Sequence, residues 1–259
     1  MLFRSTRPEY TGMAGAEFPL ACAALFVVAV LYSAVGHAGA SGYIAVLTLF
    51  GYSAQAIRPI SLVLNILVAT IGTVQFARAG HFRWTLFWPF AALAVPLAFV
   101  GGYVTLPTHW LKVLIGVVLL ASAARFLAKP GHDEATRAPD RSVALGVGGG
   151  LGLLAGLTGT GGGIFLTPVL LMMRWAPTKQ ASAVSATFIL VNSISGLAGF
   201  LAGPSAASAF DARLGWFAAT AVIGGALGAT LGARRLAPEA IKRLLAVVLV
   251  IAGLKLVFA

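Results

Sequence analysis

"GLTGTGGGIFLTP", Gly156 to Pro168, puts five glycines, three threonines and a proline inside an otherwise apolar run. Backbone that leaves the helix within a greasy segment loses its hydrogen bonds where no water replaces them. Such a break is tolerated only where it is buried in protein or lines a wet cavity. The remainder of the chain decides what kind of molecule holds it.

Of 259 residues, 59% are apolar and 10% are charged, and the mean hydropathy is +0.94. A soluble domain carries roughly a quarter of its residues charged. The apolar runs here are too many and too long for a soluble core, so the chain is an all-α polytopic membrane protein whose spans satisfy their own backbone. Its net charge of +11 would suggest nucleic acid as a partner of a soluble protein. Here the basic residues lie between apolar segments, where anionic headgroups and the insertion rule attract them. Membrane lipid is the expected partner, and no base-reading motif supports nucleic acid. Cys22 is the only cysteine, so no intrachain disulfide forms. His37, His81, His109 and His132 lack paired ligand spacing, so neither a metal nor another cofactor is expected.

The chain repeats itself. "WLKVLIGVVLLASAARFLA" (Trp110 to Ala128) aligns with "AIKRLLAVVLVIAGLKLVFA" (Ala240 to Ala259), placing Lys112 on Lys242 and Arg125 on Lys255. Upstream, Ala94, Ala98 and Gly102 fall on Gly224, Gly228 and Gly232, Trp84 on Trp216, Asn65 on Asn192, and Gly72 on Gly199. "GHAGASGYIAV" (Gly36 to Val46) lies over "GTGGGIFLTPV" (Gly159 to Val169). The N-terminus imitates a cleavable signal peptide, with Arg4 and Arg7 before an apolar run and "AVGHAGA". Recurrence of that site in the second half argues for a retained first helix instead.

Each half reads as five helical elements: 18–35, 42–51, 59–77, 85–105 and 110–128, then 142–158, 163–174, 181–202, 214–233 and 239–258. The organisation expected is a tail (1–17), a first repeat (18–128), a cytoplasmic linker (129–141) and a second repeat (142–259). The second element of each half is short, giving ~18 Å of helix against ~30 Å of hydrocarbon. It therefore pairs with the first element as a hairpin whose glycine-rich tip lies within the membrane. If both hairpins return to their starting side, the two halves are inverted, with twelve basic residues on one side and six on the other. Four crossings per half would give ten against eight. The stronger bias predicts a cytoplasmic central linker and both termini outside.

Inverted repeats with interrupted helices are the build of many secondary transporters. Free amides at a half-helix start carry a positive dipole end, which suits an anion. Gly159, Gly161, Gly162 and Gly163 let a solute approach the backbone ahead of a helix from Ile164, and Thr158 and Thr160 add hydroxyls. Close packing is the other use of such glycines. It is the preferred reading for Gly224, Gly228 and Gly232, whereas three consecutive glycines at 161–163 favour an anion cradle. All seven acids fall in tails, loops or element ends, which argues against a cation carrier. His37 and Ser41 sit in and just after the first tip. His37 is either a donor to an anion, a proton acceptor for coupled transport, or a partner of a local carbonyl. Asn65 and Asn192, both mid-helix, bind solute or tie helices together. Ser61, Ser185, Thr187, Ser193 and Ser195 are weaker candidates, since such hydroxyls often bond their own backbone. Arg58 and Lys179 open the third element of each half and are placed at the cavity mouths, drawing in anions or anchoring headgroups.

"LTGTGGGIFLTPVLLM" followed by "APTKQASAVSATFILVNSISGLAG" resembles the signature of the sulfite exporter TauE/SafE family, also called the toluene-sulfonate uptake permeases. Gly159, Gly161, Gly162, Gly163, Pro168, Gln180, Ala181 and Asn192 fit its pattern. The first half lacks the triple glycine and has Ala45 for the proline, so a differently shaped first tip is expected. The resemblance implies a carrier of small sulfur-containing anions such as sulfite, sulfoacetate or other organosulfonates. An anion-selective channel or a carrier of another small anion stands as the alternative, and a membrane enzyme or scaffold fits less well. Proton coupling and a homodimer are both left open.

Overall fold

The computed structural model describes residues 17–104, 116–117, 119–124, 137–203 and 213–258. Their regular structure is helical, with no strand among the described residues. The first half contains α1 (Glu17–Ala34), α2 (Ala40–Leu49), α3 (Ala54–Arg78) and α4 (Trp84–Tyr103). The second contains α5 (Arg141–Thr158), α6 (Gly163–Met172), α7 (Thr178–Ala202), α8 (Leu214–Thr230) and α9 (Pro238–Phe258). Residues 116–117 and 119–124 are helical, and the rest of the element expected at 110–128 lies outside the described residues, as do most of the tail and linker. Among the described residues, six helices are long and apolar enough to cross a membrane. At ten residues each, α2 and α6 span about 15 Å and do not.

Boundaries differ from expectation mainly at α3. That element was expected at 59–77, with Pro59 as its first residue. The helix begins instead at Ala54, where Ser53 accepts from the Ala56 amide, and Pro59 sits inside it.

Glycine ladders hold the long helices together. Methyl groups added at Gly148, Gly152 and Gly156 of α5 would sit 2.1, 2.3 and 2.2 Å from the carbonyl oxygens of Phe90, Ala94 and Ala98 in α4. At Gly224, Gly228 and Gly232 they would lie 2.7, 2.2 and 2.0 Å from the carbonyls of Phe26, Val30 and Ala34 in α1. Side chains larger than hydrogen would force these backbones apart, the packing role expected of small residues four apart. The two contacts are reciprocal: α4 of the first half lies on α5, and the fourth helix of the second half, α8, lies on α1.

The short helices return the chain to the end it left. At the start of α1, Phe18 stacks on Phe217 near the start of α8, and Tyr52, just after α2, reaches the same ring. At the other end, Arg141 at the start of α5 and Trp175, just after α6, line one cavity with Arg83. His81 Nε2, between α3 and α4, meets the Ala233 carbonyl in a π-helical turn (Leu231–Arg235) after α8. Arg78, Arg83, Arg141, Arg174, Arg234 and Arg235 therefore share one end of the molecule.

Candidate functional site

The two hairpin tips have related backbones. Gly36 and Gly39 adopt φ of 79° and 109°, and Gly159 and Gly162 adopt 72° and 79°. These left-handed conformations exclude most side chains but are open to glycine. Gly39 caps α2 and Gly162 caps α6, so both short helices begin at corresponding positions. The expectation of a differently shaped first tip is corrected to this extent: the backbone demands glycine only at its left-handed positions, and both tips supply it. The difference is confined to Ala38, whose counterpart Gly161 also has a positive φ, 74°. Helix α6 starts at Gly163, as expected, and ends at Met172, two residues short of the expected 174.

Among the described residues, the amides of Ala38, Gly39, Thr160, Gly161 and Gly162 make no backbone hydrogen bond. The first-turn amides of α6 have no intrahelical acceptor either. The second tip lies at the midpoint of the two longest helices. A methyl group on Gly161 would meet Asn65 Nδ2 of α3 and Ile189 and Ser193 of α7, each at 2.8 Å. The first tip lies against α7 nearer its start, where a methyl on Gly36 would be 2.4 Å from the Ser182 carbonyl oxygen.

A hydrogen-bonded chain joins the two hairpins. His37 Nε2 contacts Thr167 Oγ1 at 2.8 Å, and Thr167 donates to Ser185 Oγ at 2.7 Å or to the Gly163 carbonyl at 3.3 Å. Thr167 has one proton and gives it onward, so this network makes His37 Nε2 the donor. His37 Nδ1 then carries a bare lone pair, buried and without a partner among the described residues. Ser41, in the first turn of α2, donates to the Tyr32 hydroxyl at 3.0 Å, and the Tyr43 hydroxyl holds the Ala38 carbonyl at 2.5 Å.

Asn65 ties α3 to α7 through Ser193, Nδ2 to Oγ at 3.3 Å. Asn192 donates instead to Phe188 O of its own helix, at 2.8 Å. Both asparagines are fully buried, and the Oδ1 atoms of both, with Ser61 Oγ and Ser182 Oγ, lack partners among the described residues. A buried polar group left unpaired costs about 1–3 kcal/mol. Two of these, Asn65 Oδ1 and Asn192 Oδ1, lie near the midpoints of α3 and α7 and mark a place built for something other than stability. Thr158 and Thr160 are less available than their hydroxyls suggested. Thr158 donates to Leu154 O at 2.6 Å, which leaves the Thr160 proton for Thr158 Oγ1 at 2.8 Å.

Arg58 is placed differently from the mouth position expected of it. Its Nη2 reaches the carbonyls of Gly101 and Gly102 at the end of α4 and of Gly156 near the end of α5, at 2.6, 3.0 and 2.5 Å. Its stem lies over the second tip: a methyl on Gly159 would be 3.1 Å from Arg58 Cγ. The C-terminal carbonyls of two helices carry partial negative charge, which holds a guanidinium there. No carboxylate pairs with it in any described ion pair, and its buried Nε has no partner among the described residues. Lys179 is half-buried in the first turn of α7, at the arginine-rich end.

The family model for the sulfite exporter TauE/SafE matches residues 21–256. The chain belongs to the TauE/SafE sulfite exporter family. Probable membrane transporter protein y4hK of Sinorhizobium fredii is 38% identical over 240 residues, covering 91% of this chain and 96% of that protein. Probable membrane transporter protein MJ0441 of Methanocaldococcus jannaschii is 29% identical over 136 residues, 51% of this chain and 50% of its own. Probable membrane transporter protein YunE of Bacillus subtilis is 29% identical over 121 residues, 45% of this chain and 41% of its own. No solved structure matches. Together with the six apolar spans among the described residues, this makes the chain a multi-pass membrane transporter.

Sequence reasoning passed over Thr167 and Ser182 in this TauE/SafE chain. Thr167 lies one turn after Gly163 on a helix apolar on every side, so no periodicity marks its inner face. Ser182 belongs to a stripe with Thr178, Ser185 and Ser193 whose spacing of three, four and eight residues follows one face of α7. That spacing was the available signal.

Proposed function

We propose that this TauE/SafE protein is a secondary transporter of small sulfur-containing anions, such as sulfite or organosulfonates. It works by alternating access across the bacterial inner membrane, with the anion held at the glycine-rich helix breaks. The observation that carries this reading is the second tip. Amides without backbone partners among the described residues, at Thr160, Gly161 and Gly162, stand midway along α3 and α7, beside an arginine that no described carboxylate pairs. Oriented amides, a half-helix start and a cation together complement negative charge.

The residues support the sign of the charge, and the family description supports the sulfur. Reciprocal packing of α4 on α5 and α8 on α1 supports two halves of opposite orientation, the arrangement that lets a fixed site face each side in turn. Gathering of arginines at one end supports placing that end in the cytoplasm and both termini in the periplasm.

Reconstitution into proteoliposomes tests this. Labelled sulfite is expected to exchange against internal sulfite in counterflow. Gly162→Leu is expected to abolish exchange while the purified protein still elutes as a folded species. Full exchange by Gly162→Leu would remove the cradle, and conductance far above carrier turnover would make the protein a channel.

A further inference from the structure

At the arginine-rich end of the molecule, a cavity of about 540 Å³ opens between the starts of α4, α5 and α7. Arg83, Trp88, Arg141, Trp175 and Gln180 are among the residues that line it, and no described acid does. Arg83 caps α4, Arg141 is the first residue of α5, and Gln180 lies in the first turn of α7. Neither arginine pairs with a carboxylate among the described residues, and Asp140, the acid beside Arg141, is engaged by Arg137 at 3.3 Å. The Arg141 guanidinium lies 5.9 Å from the centroid of the Trp88 ring, which holds it at the cavity wall. Two cations around one cavity are complemented by an anion.

The position of the cavity decides what carries that anion. Its walls come from the points where α4, α5 and α7 begin and α6 has just ended, the level at which the chain enters and leaves the hydrocarbon. Trp84 and Trp88 are 63% and 36% exposed there, as tryptophans are at a membrane surface. The cavity also continues into an apolar seam. Thr85 and Pro89 line it, and the same face of α4 runs on, four residues at a time, to Leu93, 43% exposed, and half-buried Leu97. Both leucines lie against Gly149 of α5, where an added methyl would be 3.3 Å from Leu93 Cβ and 3.0 Å from Leu97 Cδ1. Near it on α5, Gly146 and Gly150 are exposed, with no atom within 4 Å of an added methyl. Packing accounts for Gly148 and Gly152 but not for these two, which weaken a helix relative to alanine. They leave the side of α5 bare beside the leucines.

We infer that this cavity binds an anionic phospholipid. The phosphodiester sits with Arg83 and Arg141, and an acyl chain lies along Leu93 and Leu97 beside the bare side of α5. Guanidinium groups suit phosphate oxygens, whereas a zwitterionic headgroup brings an ammonium beside two arginines. A soluble anion uses the arginines but gains nothing from the seam. The site is separate from the second tip, which lies at the other end of α5, ~27 Å of helix away.

Native mass spectrometry of the delipidated, detergent-purified full chain tests this with dioctanoyl phosphatidylglycerol, dioctanoyl phosphatidylcholine and glycerol 3-phosphate. One phosphatidylglycerol is expected to bind about tenfold or more tightly than phosphatidylcholine, and glycerol 3-phosphate is expected not to displace it. Arg83→Gln and Arg141→Gln are each expected to weaken phosphatidylglycerol about fivefold. Arg235→Gln, at the same end but outside the lining, is expected to leave it unchanged. The wild-type comparison decides the matter even if a variant misfolds. Equal binding of the two lipids, or of neither, overturns the inference. Displacement by glycerol 3-phosphate overturns it in favour of a soluble anion. An equal loss in Arg235→Gln overturns it in favour of diffuse attraction to the whole basic end.

Discussion

Gly161→Ala isolates what the second tip requires. The residue has φ of 74°, and an L side chain held in the left-handed region costs roughly 1–2 kcal/mol. Its methyl would also lie 2.8 Å from Asn65 Nδ2, Ile189 Cγ2 and Ser193 Oγ, and overpacking of this kind costs about 1–3 kcal/mol. The two contributions sum to roughly 2–5 kcal/mol. Gly80→Ala is the internal control: Gly80 has φ of 79° and no atom within 4 Å of the added methyl, so only strain remains, roughly 1–2 kcal/mol. Unfolding in mixed micelles with increasing denaturing detergent gives both losses, and sulfite uptake in proteoliposomes gives the functional consequence. Gly80→Ala is expected to transport as the wild type does. Gly161→Ala is expected to lose about tenfold or more of uptake, ~1.4 kcal/mol in binding terms, because Asn65 and Ser193 must move apart. Identical stability losses with full uptake in both variants would refute the reasoning: the tip would then not be packed beneath these two side chains.

Three further outcomes follow from single contacts. Thr167→Val keeps the shape but leaves His37 Nε2 and Ser185 without their shared partner; thermal unfolding should report a loss of about 1–3 kcal/mol, and wild-type stability would rule out the clasp between hairpins. Arg58→Met removes charge-assisted bonds to three carbonyls and should cost about 1.5–3 kcal/mol together with most sulfite uptake. Arg58→Lys should recover only part of either, because all three carbonyls meet one nitrogen, Nη2, and the shorter lysine side chain stops short of that position. Gly228→Ala improves helix propensity by about 1 kcal/mol, yet its methyl would sit 2.2 Å from the Val30 carbonyl oxygen. A net loss of stability is expected, and a net gain would show that α1 and α8 are not in backbone contact.

The membrane class, the short second helix of each half and the position of both breaks were legible along the chain. Each depends on local properties: uninterrupted apolar length, the intolerance of left-handed backbone for side chains, and the packing of glycines four apart. Gly224 and Gly228 could be read as packing residues before any partner was known. Thr167 could not be singled out, because a threonine on an apolar helix looks the same whether it faces lipid or a histidine. The role of Arg58 was misjudged for a related reason. A basic residue near a helix start commonly meets headgroups, and the carbonyls that hold this one come from residues 43, 44 and 98 positions away.

Periodicity and composition thus determined that the chain crosses a membrane as helices, that two of them are broken, and that no acid stands at depth. Only the folded arrangement decided which lone pairs and amides are left over once the helices pack. Hydrogen bonds within a helix are set by neighbours in the chain. Whether a side chain such as Asn192 or His37 finds a partner depends on the element that happens to lie across from it, and one chain order is compatible with many such pairings.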